Sequence, residues 1–151
     1  MTMRRLLVID PGASGGIAWI DRDHIVRTEP MPDGMTAVCD RIRALGLHEL
    51  ITQAVVEKVG MHRVGNNASA SCKFARHAGH IEAALYCLGI PTEQVAPGVW
   101  MRHLGTLPKD KGDRKRAIRD EMQRRHPHLK VTLKTADALG ILSWAMRRGD
   151  A

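Results

Sequence analysis

The sequence predicts a mixed α/β fold in which helices flank a five-stranded sheet. Two observations support this class. Apolar runs of strand length, separated by turn residues, fill the N-terminal region, and longer segments with helical spacing of apolar residues alternate with further strands downstream. The chain has 151 residues, of which 44% are hydrophobic, enough for one domain with a buried core. We therefore predict a single domain over residues 1–151.

Three strands are predicted in close succession at the N-terminus, over residues 5–10, 15–20 and 25–29. The connections between them are short and contain Pro, Gly and charged residues, so the strands should pair as hairpins. A helix is predicted over residues 35–46, where apolar residues recur near helical spacing and a glycine stands at the end.

A second group of elements follows this helix. Residues 53–59 form an apolar run that reads as a buried strand, and 60–71 are polar and rich in small residues, as expected of a loop. A long helix should then extend to about residue 88, because apolar residues continue at helical spacing up to that point. A short strand is predicted over 92–95.

The C-terminal part is predicted to be helical and basic. Residues 97–104 read as a helical turn and 105–112 as a basic loop. Asp113 could cap a helix that runs to about Arg125, because Asp is a favoured N-cap residue. A last, largely apolar helix is predicted over 135–147.

The positive charge of the chain is concentrated in one segment. Lys and Arg number 23 against 16 Asp and Glu, a formal net charge of +7, and residues 101–130 hold ten of the basic residues but four of the acidic ones. An excess of this kind suggests an anionic partner, most often nucleic acid. No apolar stretch is long enough for a signal peptide or a transmembrane helix. We therefore expect a cytoplasmic protein without a membrane partner.

Three acidic residues stand in apolar surroundings. Asp10 ends the first predicted strand, Glu57 lies in the fourth, and Asp137 lies in the first turn of the last helix. Each alone could have a structural role, as a turn former, an ion-pair partner or an acid at a helix N-terminus. If the first and fourth strands are neighbours, however, the three carboxylates could converge. Their repulsion would then be relieved by Mg²⁺, and two such ions can drive hydrolysis of a phosphodiester.

An ordered set of motifs extends this interpretation over residues 4–147. The chain resembles RuvC-type Holliday junction resolvases of the ribonuclease H superfamily, most closely the short phage and prophage forms. The resemblance rests on Ile9-Asp10-Pro11-Gly12, Val56-Glu57-Lys58-Val59, Lys73 to Gly79, Leu88-Gly89-Ile90-Pro91, Val95-Ala96-Pro97 with Trp100, Lys109 to Lys115, and Ala136 to Gly140.

The resemblance implies a ribonuclease H-like sheet and a homodimer that nicks four-way DNA junctions. It also implies two Mg²⁺ ions per active site, with Mn²⁺ able to substitute. Asp10, Glu57 and Asp137 match the metal-binding carboxylates of the family, and Lys115 matches a basic residue near the scissile phosphate. For the dimer interface, the exposed side of the long helix, around residues 74–88, is the expected surface.

Polar and basic residues around these acids are candidates for DNA contacts. Their functional role would be to bind phosphates, although a solvated surface would carry the same residue types. The candidates are Lys58, Arg63, Asn66, Asn67, Lys73, Arg76, Lys109, Lys111 and Arg114. The three tryptophans, in contrast, are expected in the core.

Two departures from the family pattern keep other functions open. Lys134 stands where the family usually has a fourth acid or a His, and Gly60 and Met61 stand where cellular relatives carry a stacking aromatic. A DNA-binding module with weakened catalysis is therefore one alternative, and an RNA-processing nuclease on the same fold is another. A nucleotide-binding protein of the actin and sugar-kinase type would require two domains and a longer chain.

Overall fold

A computed structural model describes residues 4–58, 60 and 67–149 of the chain. Within these residues the chain forms a five-stranded sheet and five helices. The strands are β1 (Leu6–Asp10), β2 (Gly16–Ile20), β3 (Val26–Pro30), β4 (Gln53–Glu57) and β5 (Thr92–Val95), and the helices are α1 (Met35–His48), α2 (Ala68–Cys87), α3 (Pro97–His103), α4 (Lys111–Arg125) and α5 (Ala136–Gly149).

The sheet is mixed, with strand order β3-β2-β1-β4-β5. Strands β1, β2 and β3 pair antiparallel as two successive hairpins. Strand β1 also pairs in parallel with β4, with Ile9 opposite Val56, and β4 pairs in parallel with β5. The predicted mixed sheet is confirmed, and so is the condition on which convergence of the acids depended, because the first and fourth strands are neighbours.

Side-chain alternation along β1 and β4 divides the core into two halves. Leu7, Ile9 and Val56 face the half that contains α1 and α2. Leu6, Val8 and Val55 face the other half, which contains α3, α4 and α5. Because the side-chain period of a strand is two, the residues that follow Val8 and Val55 at this spacing continue on the α5 side. Those residues are the two acids at the ends of β1 and β4.

Two helices begin earlier than the sequence predicts. The side chain of Asn67 accepts a hydrogen bond from the Ala70 N–H at 2.8 Å, so α2 starts at Ala68 rather than after a loop that reaches residue 71. Asp110, not Asp113, caps α4, and it accepts a hydrogen bond from the Asp113 N–H at 2.9 Å. In both cases a side chain takes up a backbone donor that the first helical turn leaves unpaired.

The remaining boundaries differ from the prediction by a few residues. The predicted turn after β5 is the short helix α3, and α5 continues to Gly149. Among the described helices, none is long and apolar enough to cross a bilayer.

Candidate active site

A tight turn places Asp10 at the edge of the sheet. Gly12 has a φ of +108°, a conformation that L side chains rarely adopt. A Cβ on Gly15 would lie 2.0 Å from the carbonyl oxygen of Asp10, so only glycine allows the chain to fold back on the end of β1. The Gly15 N–H donates to the Gly12 carbonyl at 3.0 Å and closes the turn. This turn follows the Asp10 carboxylate, which lines a cleft.

This cleft brings the three predicted acids together. It has a volume of about 480 Å³ and lies between the ends of β1 and β4 on one side and α4 and α5 on the other. Its charged lining residues are Asp10, Glu57, Asp137, Lys111, Arg114 and Lys115. The sequence predicted that the carboxylates meet if β1 and β4 are neighbours, and they do line one cleft.

Glu57 is held by a buried hydrogen bond. The residue is 8% exposed, and the Trp100 Nε1–H donates to its Oε2 at 2.7 Å. Sequence reasoning placed Trp100 in the core, which is confirmed, but it missed this contact with the acid. A buried indole N–H usually donates to an acceptor, so a polar partner for Trp100 could have been expected from the sequence.

The surroundings of Asp137 in the cleft shift the pKa of its carboxyl group. Burial raises the pKa of its carboxyl above the usual value of 3.8, while the charges of Lys115 and Arg114 act in the opposite direction. The direction of the shift shows that the two cations do not fully compensate the desolvation of the carboxylate. The site therefore favours additional positive charge, such as a proton or a metal ion.

Helix α4 contributes three cations to the lining of the cleft. Four arginines of α4 form ion pairs with acids of the same helix, and these are Arg116, Arg119, Arg124 and Arg125. Lys111, Arg114 and Lys115 instead line the cleft, where the Arg114 guanidinium also donates to the Lys109 carbonyl at 2.9 Å. The basic segment seen in the sequence therefore contributes three cations, all in the N-terminal half of α4, to the cleft that the carboxylates also line.

Of the other predicted DNA contacts, those that the structure describes lie outside the cleft lining. Lys58, Lys73, Arg76 and Lys109 have exposed side chains at other positions on the surface. Asn67 uses its side-chain oxygen to cap α2. Two more of the candidates, Arg63 and Asn66, fall outside the described residues.

Helix α2 supports the turn that follows Asp10. The Gly12 N–H donates to His77 Nδ1 at 3.2 Å, and Phe74 packs where a Cβ on Gly12 would lie, 2.8 Å from that position. Burial, together with the nearby His80, lowers the pKa of His77, which favours the neutral ring that this acceptor role requires. Sequence reasoning did not connect either side chain with the turn.

The donor set of the cleft suits a hard divalent cation. Carboxylate oxygens are the protein ligands that Mg²⁺ prefers, and Asp137 is desolvated without full compensation by Lys115 and Arg114. In the described parts of the chain, however, no group of three His, Cys, Asp or Glu side chains is close enough to hold a metal ion. The residues fit such an ion in chemistry and location but do not form a closed coordination shell.

The residue at the position of the expected fourth metal ligand does not line the cleft. The Lys134 side chain is exposed, and it is absent from the residues that line the cleft. In the described lining the acidic residues are therefore Asp10, Glu57 and Asp137. The departure noted in the sequence persists in the structure.

Comparison with known proteins gives a clear result for the fold. No family model matches the chain, and neither does any curated protein. A structure of Thermus thermophilus RuvC in complex with a Holliday junction substrate superposes with a TM-score of 0.65 at 15% identity, over 92% of this chain and 90% of that one. This chain has the RuvC fold. A second Thermus thermophilus RuvC structure gives a TM-score of 0.63 at 16% identity and covers 96% of each chain. The RuvC fold confirms the ribonuclease H-like architecture that the sequence predicts.

Proposed function

We propose that this protein is a structure-specific endodeoxyribonuclease that nicks Holliday junctions or other branched DNA. The observation that carries the proposal is one cleft that is lined by three carboxylates and by three cations of α4. The RuvC fold supports it, because the matched Thermus thermophilus protein was solved with a Holliday junction substrate. Carboxylates can hold the metal ions that assist phosphodiester hydrolysis, and neighbouring cations can bind the phosphates.

Each charged group of the cleft has a role in this mechanism. Asp10, Glu57 and Asp137 would hold Mg²⁺, or Mn²⁺ in its place, with two ions per active site. When bound, such ions activate the attacking water and stabilise the leaving oxygen. Lys115 would stabilise the negative charge that develops on the phosphoryl oxygens, because a preorganised cation costs no reorganisation during the reaction.

The surrounding surface would hold the DNA arms. Lys111 and Arg114 line the cleft and would bind the phosphates next to the scissile bond. The remaining candidates would bind other backbone phosphates of the arms, and they are Lys58, Lys73, Arg76 and Lys109, together with Arg63, Asn66 and Asn67. Because the side-chain oxygen of Asn67 caps α2, its side-chain NH₂ group would be the donor to a phosphate.

We also propose that the protein acts as a homodimer. Paired nicks on opposed strands of a junction require two active sites, and the exposed side of α2 around residues 74–88 is the proposed interface. Sedimentation at micromolar concentration should show a dimer, with or without junction DNA. A purely monomeric profile under both conditions would contradict this part of the proposal.

Cleavage of a synthetic four-way junction tests the proposed function. We expect nicking in Mg²⁺ or Mn²⁺ and no nicking in EDTA. Asp137→Asn should abolish nicking but leave junction binding intact, because binding depends mainly on phosphate contacts by Lys and Arg. Asp120→Asn is the matched control, since Asp120 is exposed on α4 and pairs with Arg119 outside the cleft. Equal loss of nicking in both variants would contradict the assignment of the site.

A DNA-binding module without catalysis is the second candidate function. It is favoured by the exposed Lys134 and by the lack of a closed metal cluster in the described residues. This function predicts salt-sensitive junction binding with no cleavage at any metal concentration. A parallel assay with structured RNA distinguishes the third candidate, an RNA-processing nuclease, which would cleave RNA in preference to branched DNA.

A further inference from the structure

Trp100 connects two of the elements that carry the carboxylates. It lies in α3 and is fully buried, with no exposed surface. Its Nε1–H donates to Glu57 Oε2 at 2.7 Å inside the protein. The acceptor, Glu57, is the last residue of β4 and lines the cleft.

The indole ring also contacts α5. A Cβ built on Gly140 would lie 2.6 Å from Cζ3 of Trp100 and 3.1 Å from Cε3, so the ring occupies the space beside that glycine. Gly140 follows Asp137 by three residues, which is about one helical turn. The ring thus contacts both Glu57 at the end of β4 and the part of α5 that follows Asp137 by one turn.

An indole N–H is well suited to orient a metal-binding carboxylate. A donor to one oxygen fixes the plane of the carboxyl group and favours its charged form. Because the indole is neutral and only a donor, it adds no positive charge that would repel a cation. Partners of this kind commonly set the orientation of a ligand without touching the metal.

We propose that Trp100 is a positioning residue that orients the Glu57 carboxylate and, by packing on Gly140, the Asp137 turn of α5 for binding a divalent cation. This inference rests on the proposed function of the cleft. Trp100 touches neither the substrate nor the reacting atoms, so its effect should appear in metal affinity and turnover rather than in DNA affinity.

Trp100→Phe is the direct test, with Trp144→Phe as the matched control. Trp144 lies on the same helix as Asp137, but it lines a separate cavity at the opposite ends of β1 and β4 and stacks against Arg148. We expect Trp100→Phe to weaken Mn²⁺ binding, measured by electron paramagnetic resonance without DNA, by roughly 10- to 100-fold. The rate of junction nicking by Trp100→Phe should fall by a similar factor, while its affinity for the junction stays near the wild-type value. For Trp144→Phe, the Mn²⁺ affinity and the nicking rate should both stay near the wild-type values.

A spectroscopic measurement separates positioning from general loss of packing. The indole ¹H–¹⁵N resonance of Trp100, assigned from its absence in Trp100→Phe, should shift upfield in Glu57→Gln, because the donor loses an anionic acceptor. If Trp100→Phe fails to fold, 3-benzothienylalanine at position 100 replaces it, since that side chain keeps the ring shape and lacks the N–H. The isostere should show the same loss of Mn²⁺ affinity.

The outcomes distinguish this inference from the proposed function. Wild-type Mn²⁺ affinity in the folded Trp100→Phe or benzothienylalanine protein would overturn the role of Trp100 and leave the nuclease intact. An indole resonance that does not respond to Glu57→Gln would overturn it as well. Wild-type protein that neither binds Mn²⁺ nor nicks junctions would instead overturn the proposed function of the cleft.

Discussion

Replacing Gly140 with Ala probes the packing that holds Asp137 in place. The added Cβ would lie 2.6 Å from Cζ3 of the Trp100 ring, well inside the usual carbon–carbon contact of about 3.5–4.0 Å. The ring has no exposed surface and is tied to Glu57 by a hydrogen bond, so it has little freedom to move away. Either the ring or α5 must therefore shift.

The size of the effect follows from two opposing contributions. Overpacking of a well-filled core typically costs about 1–3 kcal/mol. Replacing Gly with Ala inside a helix contributes about 0.5–1 kcal/mol of stability in return. Gly79 in α2 is the matched control, because a Cβ there would meet nothing within 4 Å. The difference in unfolding free energy between Gly140→Ala and Gly79→Ala should therefore equal the overpacking cost alone, about 1–3 kcal/mol.

Urea unfolding followed by circular dichroism measures this difference. Both variants should be compared at a concentration where sedimentation gives them the same oligomeric state, because α2 is the proposed dimer interface. We expect Gly79→Ala to be slightly more stable than wild type and Gly140→Ala to be less stable, with a corresponding loss of Mn²⁺ affinity. Equal stabilisation of the two variants would refute the contact between Trp100 and α5.

Three further predictions address the site and its borders. Burial raises the pKa of the Asp137 carboxyl, so the folded state favours its protonated form. The protein therefore loses stability as the pH rises from the unfolded-state pKa of 3.8 through the higher pKa of the folded state. Asp137→Asn should therefore melt at a higher temperature than wild type at pH 7 in EDTA, with the gap closing below pH 3.8; a lower melting temperature at pH 7 would contradict this. Lys115→Ala should lower the rate of junction nicking by about 10²–10³-fold and change junction affinity by about tenfold or less, as measured by single-turnover cleavage and titration; a loss confined to affinity would place Lys115 among the ordinary phosphate contacts. Asn67→Ala should cost about 0.5–2 kcal/mol in urea unfolding, because α2 loses its cap, whereas Asn67→Asp should keep that stability and weaken junction binding; equal stability of wild type and Asn67→Ala would refute the capping role.

The sheet and the location of the acids could be predicted because both depend on local patterns. Strand periodicity places alternate side chains on opposite faces, so the apolar residues of β1 and β4 already determine the face to which Asp10 and Glu57 belong. The remaining requirement was that β1 and β4 be neighbours, which a connection through α1 allows. Asp137 was identifiable as an acid in the first turn of an apolar helix.

Helix starts and long-range contacts could not be predicted from such patterns. The polar residues after Asn67 resemble a loop until a single side-chain hydrogen bond to Ala70 makes them the first turn of a helix. Asp110 and Asp113 are both acceptable caps, and only the backbone geometry selects Asp110. The hydrogen bond from Trp100 joins residues 43 positions apart, and the one between Gly12 and His77 joins residues 65 apart. Contacts at these separations depend on how helices pack on the sheet, about which local sequence carries little information.

The metal-dependent nicking of a synthetic four-way junction by wild type and by Asp10→Asn tests the central claim most directly. Asp10 lines the cleft at the end of the central strand, and it can be changed to Asn with little alteration in shape. The cleft assignment predicts that wild type nicks the junction in Mg²⁺, and that Asp10→Asn binds the same junction with wild-type affinity but does not nick it. Nicking by Asp10→Asn at the wild-type rate would contradict it.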